Sequence, residues 1–262
     1  MPTRAACSQR RRSCWRRAHT SLTPKDVKVD EGKPSRSEDR SCHTLQMSRS
    51  EPGFTRDLIE LASGYGLILL VLWMPEFPQR VLSPVALLVT LAIVLARRPG
   101  LDDLGVGFRG LGASLWILPA AIVVAVASLL VARQVGTLHP LYKADLKHIS
   151  GYVVWTLYQQ FLMNDLFMPR LTRLLGGEGA AVAVAAVLFA GAHLPNLPLT
   201  IATLVWGAIS CALFARHRNL YALGLAQGLL GLCFAVCVPD ALHHHLRVGL
   251  GYLRYSAPGP RR

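Results

Sequence analysis

Long apolar segments separated by short polar connections make up most of the chain after residue 60. A helix that crosses a bilayer needs about 20 predominantly apolar residues, and about 17 are enough. Seven segments approach or reach this length, and the first, second and fifth are the shortest. The predicted spans are 61–74, 81–96, 111–132, 149–168, 180–192, 197–215 and 220–238. This pattern predicts an all-α fold class, a polytopic membrane helical bundle of about seven transmembrane helices.

The two ends of the chain differ from this apolar region. Residues 1–52 are rich in Arg, Ser, Lys and Pro and show no periodicity, which is typical of a disordered basic tail. Met47 offers an alternative start of translation, so the segment before it is either part of this tail or an upstream extension. We expect a transmembrane helical domain at 53–255 and a short tail at 256–262.

Positive charge follows the predicted topology. The formal net charge is +13, and much of it lies in the tail and in alternate connections between the spans. The basic residues in these connections are Arg97, Arg98, Arg109, Arg170, Arg173, Arg216 and Arg218. The positive-inside rule then predicts a cytoplasmic N-terminus, although the opposite connections and the C-terminal end also carry Lys and Arg. No basic patch with interleaved aromatic residues indicates nucleic-acid binding, so we expect membrane lipids and no nucleic acid as partners.

Polar side chains inside or directly after the predicted spans mark a candidate site. They are Gln159, Gln160, Asn164, Asp165, His193 and Gln227. Polar groups at membrane depth are costly and usually face a bundle interior or a water-filled cavity. Gln160 and Asn164 are four residues apart and share a helix face, whereas Asp165 is predicted to point to a different side. The alternative is that the amides only join neighbouring helices, which stabilises a bundle by about 1 kcal/mol each.

The sequence gives little support for metal or cofactor chemistry. None of the six cysteines forms a C-x-x-C pair. His243, His244 and His245 are consecutive, so their side chains would leave a helix in different directions. We therefore expect no cofactor and no metal site.

Three short patterns follow one another over about 115–240: Q-Q-x-x-x-N, F-x-x-x-H and Q-x-x-x-G. Their residues are Gln159, Gln160 and Asn164, then Phe189 and His193, then Gln227 and Gly231. The order and spacing resemble the CPBP family of intramembrane proteases, which contains CAAX prenyl endopeptidases and Abi-like bacterial relatives linked to bacteriocin processing and immunity. That family has a glutamate pair and an arginine in the first motif, and His with Asn or Asp in the third. Only the second motif matches outright.

The resemblance implies a catalytic set and a substrate-binding pair. The catalytic positions are His193, Gln159, Gln160, Asn164 and Gln227, and the substrate-binding positions are Phe189 and Asn196. In the family a glutamate activates water, with histidines helping to bind it. A neutral Gln cannot accept the proton that this step releases. The resemblance also implies an integral protein of the bacterial inner (plasma) membrane.

Three hypotheses about function follow. The favoured one is a noncatalytic or strongly altered member that binds a membrane peptide or lipid, or supports a partner membrane protein; a hydrophobic or prenylated peptide is the possible ligand or substrate. The second is an active, divergent intramembrane peptidase that uses His193 as its base. The third, ranked last, is a transporter or lipid-handling protein, because the segment H-L-P-N-L-P after the fifth span resembles the broken helices that line transport cavities.

Overall fold

Helices are the regular elements of the chain between residues 51 and 256. The computed structural model describes these residues except Lys143, with side chains from residue 53 onward. In chain order the helices are α1 Glu51–Trp73, α2 Glu76–Leu95, α3 Leu111–Ser114, α4 Ile117–Val135, α5 Leu146–Phe161, a π-helical segment Leu162–Phe167, α6 Met168–Leu175, α7 Glu178–Gly191, α8 Leu197–His217, α9 Leu220–Cys237, α10 Asp240–His243 and α11 Gly249–Leu253. Residues 1–50, which include Met47, and residues 257–262 lie outside the described part. The predicted all-α fold class is confirmed for the described residues.

Four of the described helical segments are long and apolar enough to cross a membrane. They are Glu76–Leu95 (α2), Leu111–Val135 (α3 and α4 together), Leu197–His217 (α8) and Leu220–Cys237 (α9). The helix Glu178–Gly191 is apolar but shorter than a full span. An integral membrane protein is therefore well supported, whereas the predicted number of seven spans stays a prediction.

Short polar side chains begin the helices that carry the candidate residues. The side chain of Asp145 accepts a hydrogen bond from the backbone N–H of His148 at the start of α5. Asn219 accepts from Ala222 N–H in the same way at the start of α9. Such caps satisfy backbone donors that a helix leaves unpaired at its first turn. These caps fix where α5 and α9 begin, and therefore the register of their amides.

The fourth predicted span is not one regular α-helix. It continues through the π-helical segment Leu162–Phe167 into α6, so Arg170 and Arg173 lie on a helix rather than in a connection after it. All six side chains of the π segment are buried, which places it inside the bundle and away from lipid. A π turn holds one extra residue per turn and often marks a functional site. The segment carries Asn164, one of the candidate residues.

Glycines allow α9 to lie directly against α5. A Cβ atom at Gly224 would collide with Leu157, and one at Gly231 would collide with the Tyr152 hydroxyl. The Thr156 hydroxyl donates a hydrogen bond of 2.9 Å to the Gly224 carbonyl across the same contact. Small residues at a helix contact are typical of membrane bundles, because they let two backbones approach closely. This contact sets the distance between the amides of α5 and α9.

A partly buried charged cluster joins α1 to the end of α2 and to α6 at one end of the bundle. It consists of Asp57, Glu60, Arg97, Arg170 and Arg173. The guanidinium of Arg170 is only 2% exposed and lies 2.8 Å from the Glu60 carboxylate. Arg170 also donates to the backbone carbonyls of Asp165 and Leu166 in the π segment. The cluster therefore ties the π segment to α1.

Candidate functional site

Four neutral amides form a continuous hydrogen-bond chain between α5, the π segment and α9. Asn164 Nδ2 donates to Gln160 Oε1 at 2.8 Å. Gln160 Nε2 donates to Gln227 Oε1 at 2.5 Å. Gln227 Nε2 in turn donates to Gln159 Oε1 at 2.5 Å. The structure thus brings together four of the five predicted catalytic residues, and it confirms that Gln160 and Asn164 share a face.

The indole of Trp206 on α8 adds a further donor to this chain. Its Nε1–H lies 3.1 Å from Gln227 Oε1, so that oxygen accepts from two donors. A carbonyl oxygen has two lone pairs, and both are then used. Gln227 is therefore held in one orientation, with its Nε2 directed at Gln159. Trp206 was not predicted from the sequence, because its partner lies on another helix.

His193, the fifth predicted catalytic residue, lies just beyond the end of α7. Its Nδ1 is 2.7 Å from the carbonyl oxygen of Phe189, and its ring packs edge-on against the Phe189 ring with centroids 4.8 Å apart. A carbonyl oxygen can only accept, so Nδ1 carries the proton and Nε2 of the neutral ring keeps its lone pair. Phe189 thus fixes the tautomer of His193 through its backbone and the ring position through its side chain.

A large apolar cavity of about 750 Å³ connects these residues. Gln159, Gln227 and His193 line it together with Phe189 and Trp206. Most of the remaining wall is aliphatic or aromatic, with Trp116, Tyr152, Trp155 and Phe234 among the aromatic residues. Ligand cavities of about 300–1,000 Å³ with a few polar groups are typical of small-molecule and lipid sites.

Three predicted site residues lie outside the cavity wall. Gln160 and Asn164 are buried behind Gln159 and Gln227 in the amide chain. Asn196 is fully buried, and its side chain caps α8 by accepting from Leu199 N–H. The Asn196 amide also donates to the carbonyls of His243 and Arg247. The polar atoms of Asn196 are therefore used by the fold, which gives it a structural role beside the predicted one.

The cavity wall has no carboxylate. Its lining residues, all within the described part of the chain, include neither Asp nor Glu. Asp165 is the acidic residue nearest in sequence to Gln159 and Gln160, but it does not line the cavity. Its buried Oδ2 has no hydrogen-bond partner. Asp165 is thus separate from the amide chain, as its position five residues after Gln160 predicts. Water held in this cavity would meet amides, hydroxyls and one imidazole.

A second polar group, at the end of the bundle where α9 ends, was not predicted from the sequence. His139, Asp240 and His243 each place one nitrogen or oxygen atom within 4.8 Å of the others. His139 lies in the connection between α4 and α5, about one hundred residues before its partners. The three consecutive histidines gave a partial signal, but the contribution of His139 depends on tertiary structure.

The comparisons with known proteins support the family resemblance. Residues 145–233 match a family model described as type II CAAX prenyl endopeptidase Rce1-like. The matched region contains all three of the patterns that carry the resemblance, from Gln159 to Gly231. No curated protein and no solved structure gave a significant match. The predicted resemblance to the CPBP family is therefore confirmed for this part of the chain.

Proposed function

We propose that this CAAX-protease-like membrane protein binds the hydrophobic or prenylated end of a peptide in its cavity without hydrolysing it. The observation that carries the proposal is the chain of neutral amides that runs from Asn164 through Gln160 and Gln227 to Gln159. Gln159, Gln160 and Gln227 stand where the resemblance expects the glutamate pair and a histidine, and Asn164 stands where it expects an arginine.

Hydrolysis requires a group that takes a proton from water, and an amide side chain cannot do so. The amides of Gln160 and Gln227 are also engaged with one another at 2.5 Å. His193 is the remaining candidate base on the cavity wall. A His base contributes typically 10²–10⁴-fold to a rate, and here no carboxylate on the wall would orient it or stabilise its charged form.

The cavity itself suits a hydrophobic ligand. Its walls are mainly aliphatic and aromatic, and its volume of about 750 Å³ is sufficient for a long hydrocarbon chain. The amides of Gln159 and Gln227 supply fixed polar atoms on the wall, where the polar backbone next to such a chain would need partners. Apolar burial would then supply the affinity, and the amides the orientation.

The test compares binding and cleavage in one preparation. Purified full-length protein would be given a fluorescent farnesylated CAAX peptide, with the same peptide lacking the lipid as the control. We expect saturable binding of the farnesylated peptide, weaker binding of the control, and no cleavage product by mass spectrometry. Cleavage by the wild-type protein that disappears in His193→Ala would replace this proposal with the divergent peptidase, in which His193 acts as the base.

The orientation in the membrane forms part of the proposal. We propose that the charged cluster around Arg97, Arg170 and Arg173 lies on the cytoplasmic side of a bacterial plasma membrane, because the positive-inside rule places such residues there. In a variant without the six natural cysteines, Arg98→Cys should then be protected from a membrane-impermeant maleimide in intact cells, and Thr137→Cys should react. The reverse labelling pattern would invert the topology.

A further inference from the structure

The geometry points to a transition-metal site formed by His139, Asp240 and His243, with His245 beside them. These residues come from the connection before α5, from α10 and from the turn after it. The site lies outside the amide chain, and the inference does not depend on the proposed peptide-binding function.

The candidate ligand atoms converge on one backbone oxygen. His139 Nε2 and His243 Nε2 each lie 2.8 Å from the carbonyl oxygen of Val238. Asp240 Oδ1 is 3.3 Å from His243 Nε2. Ligand atoms bound to one Zn²⁺ at about 2.0–2.1 Å lie roughly 3 Å apart. The separation of Asp240 and His243 already approaches this value, and all three ligand atoms lie within 4.8 Å of one another. Imidazole ligands suit zinc, copper and nickel, and zinc also binds carboxylate oxygen.

His139 has the environment of a metal ligand. Its Nδ1 lies 3.2 Å from the carbonyl oxygen of Pro140. A His ligand usually donates its second N–H to a carbonyl or carboxylate, which fixes the ring and its tautomer. In the metal-free structure Nε2 of His139 donates to the Val238 carbonyl, since that oxygen can only accept. Metal binding through Nε2 therefore moves the proton to Nδ1, where the Pro140 carbonyl accepts it.

His245 has a buried nitrogen in need of a partner. Its Nδ1 lies 2.9 Å from Asp240 Oδ1, but the angles do not form a hydrogen bond, and the atom is shielded from solvent. The other ring nitrogen contacts the Tyr255 hydroxyl at 3.0 Å, and the ring stacks on Tyr142. A buried polar atom without a partner is costly. His245 lies outside the group of ligand atoms that are within 4.8 Å of one another, so it becomes a fourth ligand only when its turn moves toward the cation at Asp240.

Metal binding requires the same change of tautomer at His243. The backbone N–H of Leu246 donates to His243 Nδ1 at 3.1 Å, so the neutral ring now carries its proton on Nε2. Binding through Nε2 moves this proton to Nδ1 and releases the Leu246 N–H, with no net loss of a proton. His244, His245 and Leu246 all have a positive φ between 48° and 61°, a strained conformation for residues other than Gly. This turn is the segment that moves when the metal binds.

The same turn reaches the large cavity. Leu246 and Val248 both line its wall. A metal that holds His243 and His245 would therefore fix one part of the cavity lining together with the end of α9. Metal binding would therefore change the position of the cavity wall at Leu246 and Val248.

Zinc titration of the full-length protein tests the inference. Protein without an affinity tag would be stripped with EDTA, dialysed and titrated with ZnCl₂ against a chromophoric chelator. We expect one Zn²⁺ per chain and a higher unfolding temperature with zinc than without it, since a ligand that binds the folded state stabilises it. His139→Gln and Asp240→Asn should weaken zinc binding at least about tenfold, since even the loss of a residue that supports a ligand typically costs about 10–100-fold.

His244 provides the matched control. It belongs to the same run of three histidines, but its ring stacks on Tyr252 at 4.1 Å and on Tyr255 at 4.6 Å, away from Asp240. Asn tolerates the left-handed backbone at this position, so His244→Asn should keep the wild-type zinc affinity. An equal loss of zinc affinity in His244→Asn and His139→Gln would mean that zinc binds unspecifically to the histidines, which would overturn the inference. The absence of saturable zinc binding would also overturn it. Should His139→Gln fail to fold, Asp240→Asn, at a more exposed position, decides the question.

Discussion

At the level of single residues, the amide chain depends most on Gln227. Its Oε1 accepts from Gln160 and Trp206, and its Nε2 donates to Gln159. Each of these partners is a buried or half-buried polar group with few alternatives. The cost of leaving such a group unpaired is about 1–3 kcal/mol, which is larger than the net gain from a typical hydrogen bond.

We therefore expect Gln227→Met, which keeps the volume and removes the polar atoms, to destabilise the protein by about 1–2 kcal/mol. The measurement is the free energy of unfolding in detergent. Gln134→Met is the matched control, since Gln134 is exposed in the last turn of α4 and should change the stability by less than about 0.5 kcal/mol. Equal effects of the two substitutions would mean that the amide chain does not contribute to stability.

At the level of the helices, the close contact between α5 and α9 requires a glycine at position 224 of α9. A Cβ at Gly224 would meet the Leu157 side chain and approach the Leu157 Cα to 3.0 Å. The Leu157 side chain could move, but its backbone could not without shifting α5. Gly151, an exposed residue of α5, differs from Gly224, because a Cβ atom added at Gly151 would have no atom within 4 Å.

Gly224→Ala is therefore expected to destabilise the protein by about 1–3 kcal/mol, which is the usual cost of overpacking. Gly151→Ala should be neutral or stabilising by up to about 1 kcal/mol, because Ala loses less backbone entropy in a helix. Thermal unfolding of the two single variants beside the wild type measures both. A stabilised Gly224→Ala would contradict the close approach of α5 and α9.

The two arginines of α6 differ in burial within one charged cluster. Arg170 is 2% exposed and bonds Glu60 as well as three backbone carbonyls, two of them in the π segment. Arg173 is 48% exposed and bonds Asp57. Removing one partner of a buried ion pair leaves an uncompensated charge, whereas an exposed pair contributes little.

Arg170→Met should therefore cost about 3–5 kcal/mol of stability, and Arg173→Met at most about 1 kcal/mol. The unfolding free energies of the two variants decide this. Hydrogen exchange adds a second measurement, since Arg170→Met should speed exchange in the π segment Leu162–Phe167 and Arg173→Met should not. Similar losses of unfolding free energy in both variants would mean that the buried ion pair of Arg170 stabilises the protein no more than the exposed pair of Arg173.

The sequence predicted those features that depend on local geometry. Gln160 and Asn164 were expected on one face because they are one helical turn apart, and their side chains are in contact at 2.8 Å. The π segment was not predicted, because residues 162–167 contain no Gly or Pro that would mark an irregular turn. Arg170 stabilises the π segment by donating to the Asp165 carbonyl within it, and Arg170 is itself held by Glu60, which lies 110 residues earlier. A partner at that separation is specified by packing alone.

At the level of the whole molecule, the apolar cavity combines walls from helices distant in sequence. Tyr65 of α1, Trp116 next to α4, Tyr152 of α5 and Trp206 of α8 all line it. The polar residues predicted where the site lies, and the resemblance to the CPBP family suggested that a cavity is retained there. Its hydrophobic extent became visible only when the helices were assembled, because each wall residue taken singly resembles an ordinary lipid-facing side chain.

Filling this cavity should separate ligand binding from stability. Ala202 on α8 lines the cavity, whereas Ala212 on the same helix is exposed and does not. Ala202→Phe places an aromatic ring in the space proposed for a prenyl chain, so the affinity for a farnesylated peptide should fall at least about tenfold, or about 1.4 kcal/mol. Ala212→Phe adds the same ring at the periphery and should leave the affinity unchanged. Fluorescence titration of both variants measures this, with thermal unfolding as the check on folding. If well-folded Ala202→Phe bound the peptide as tightly as the wild type, the ligand would have to lie outside this cavity, and the proposed binding function would lose its structural basis.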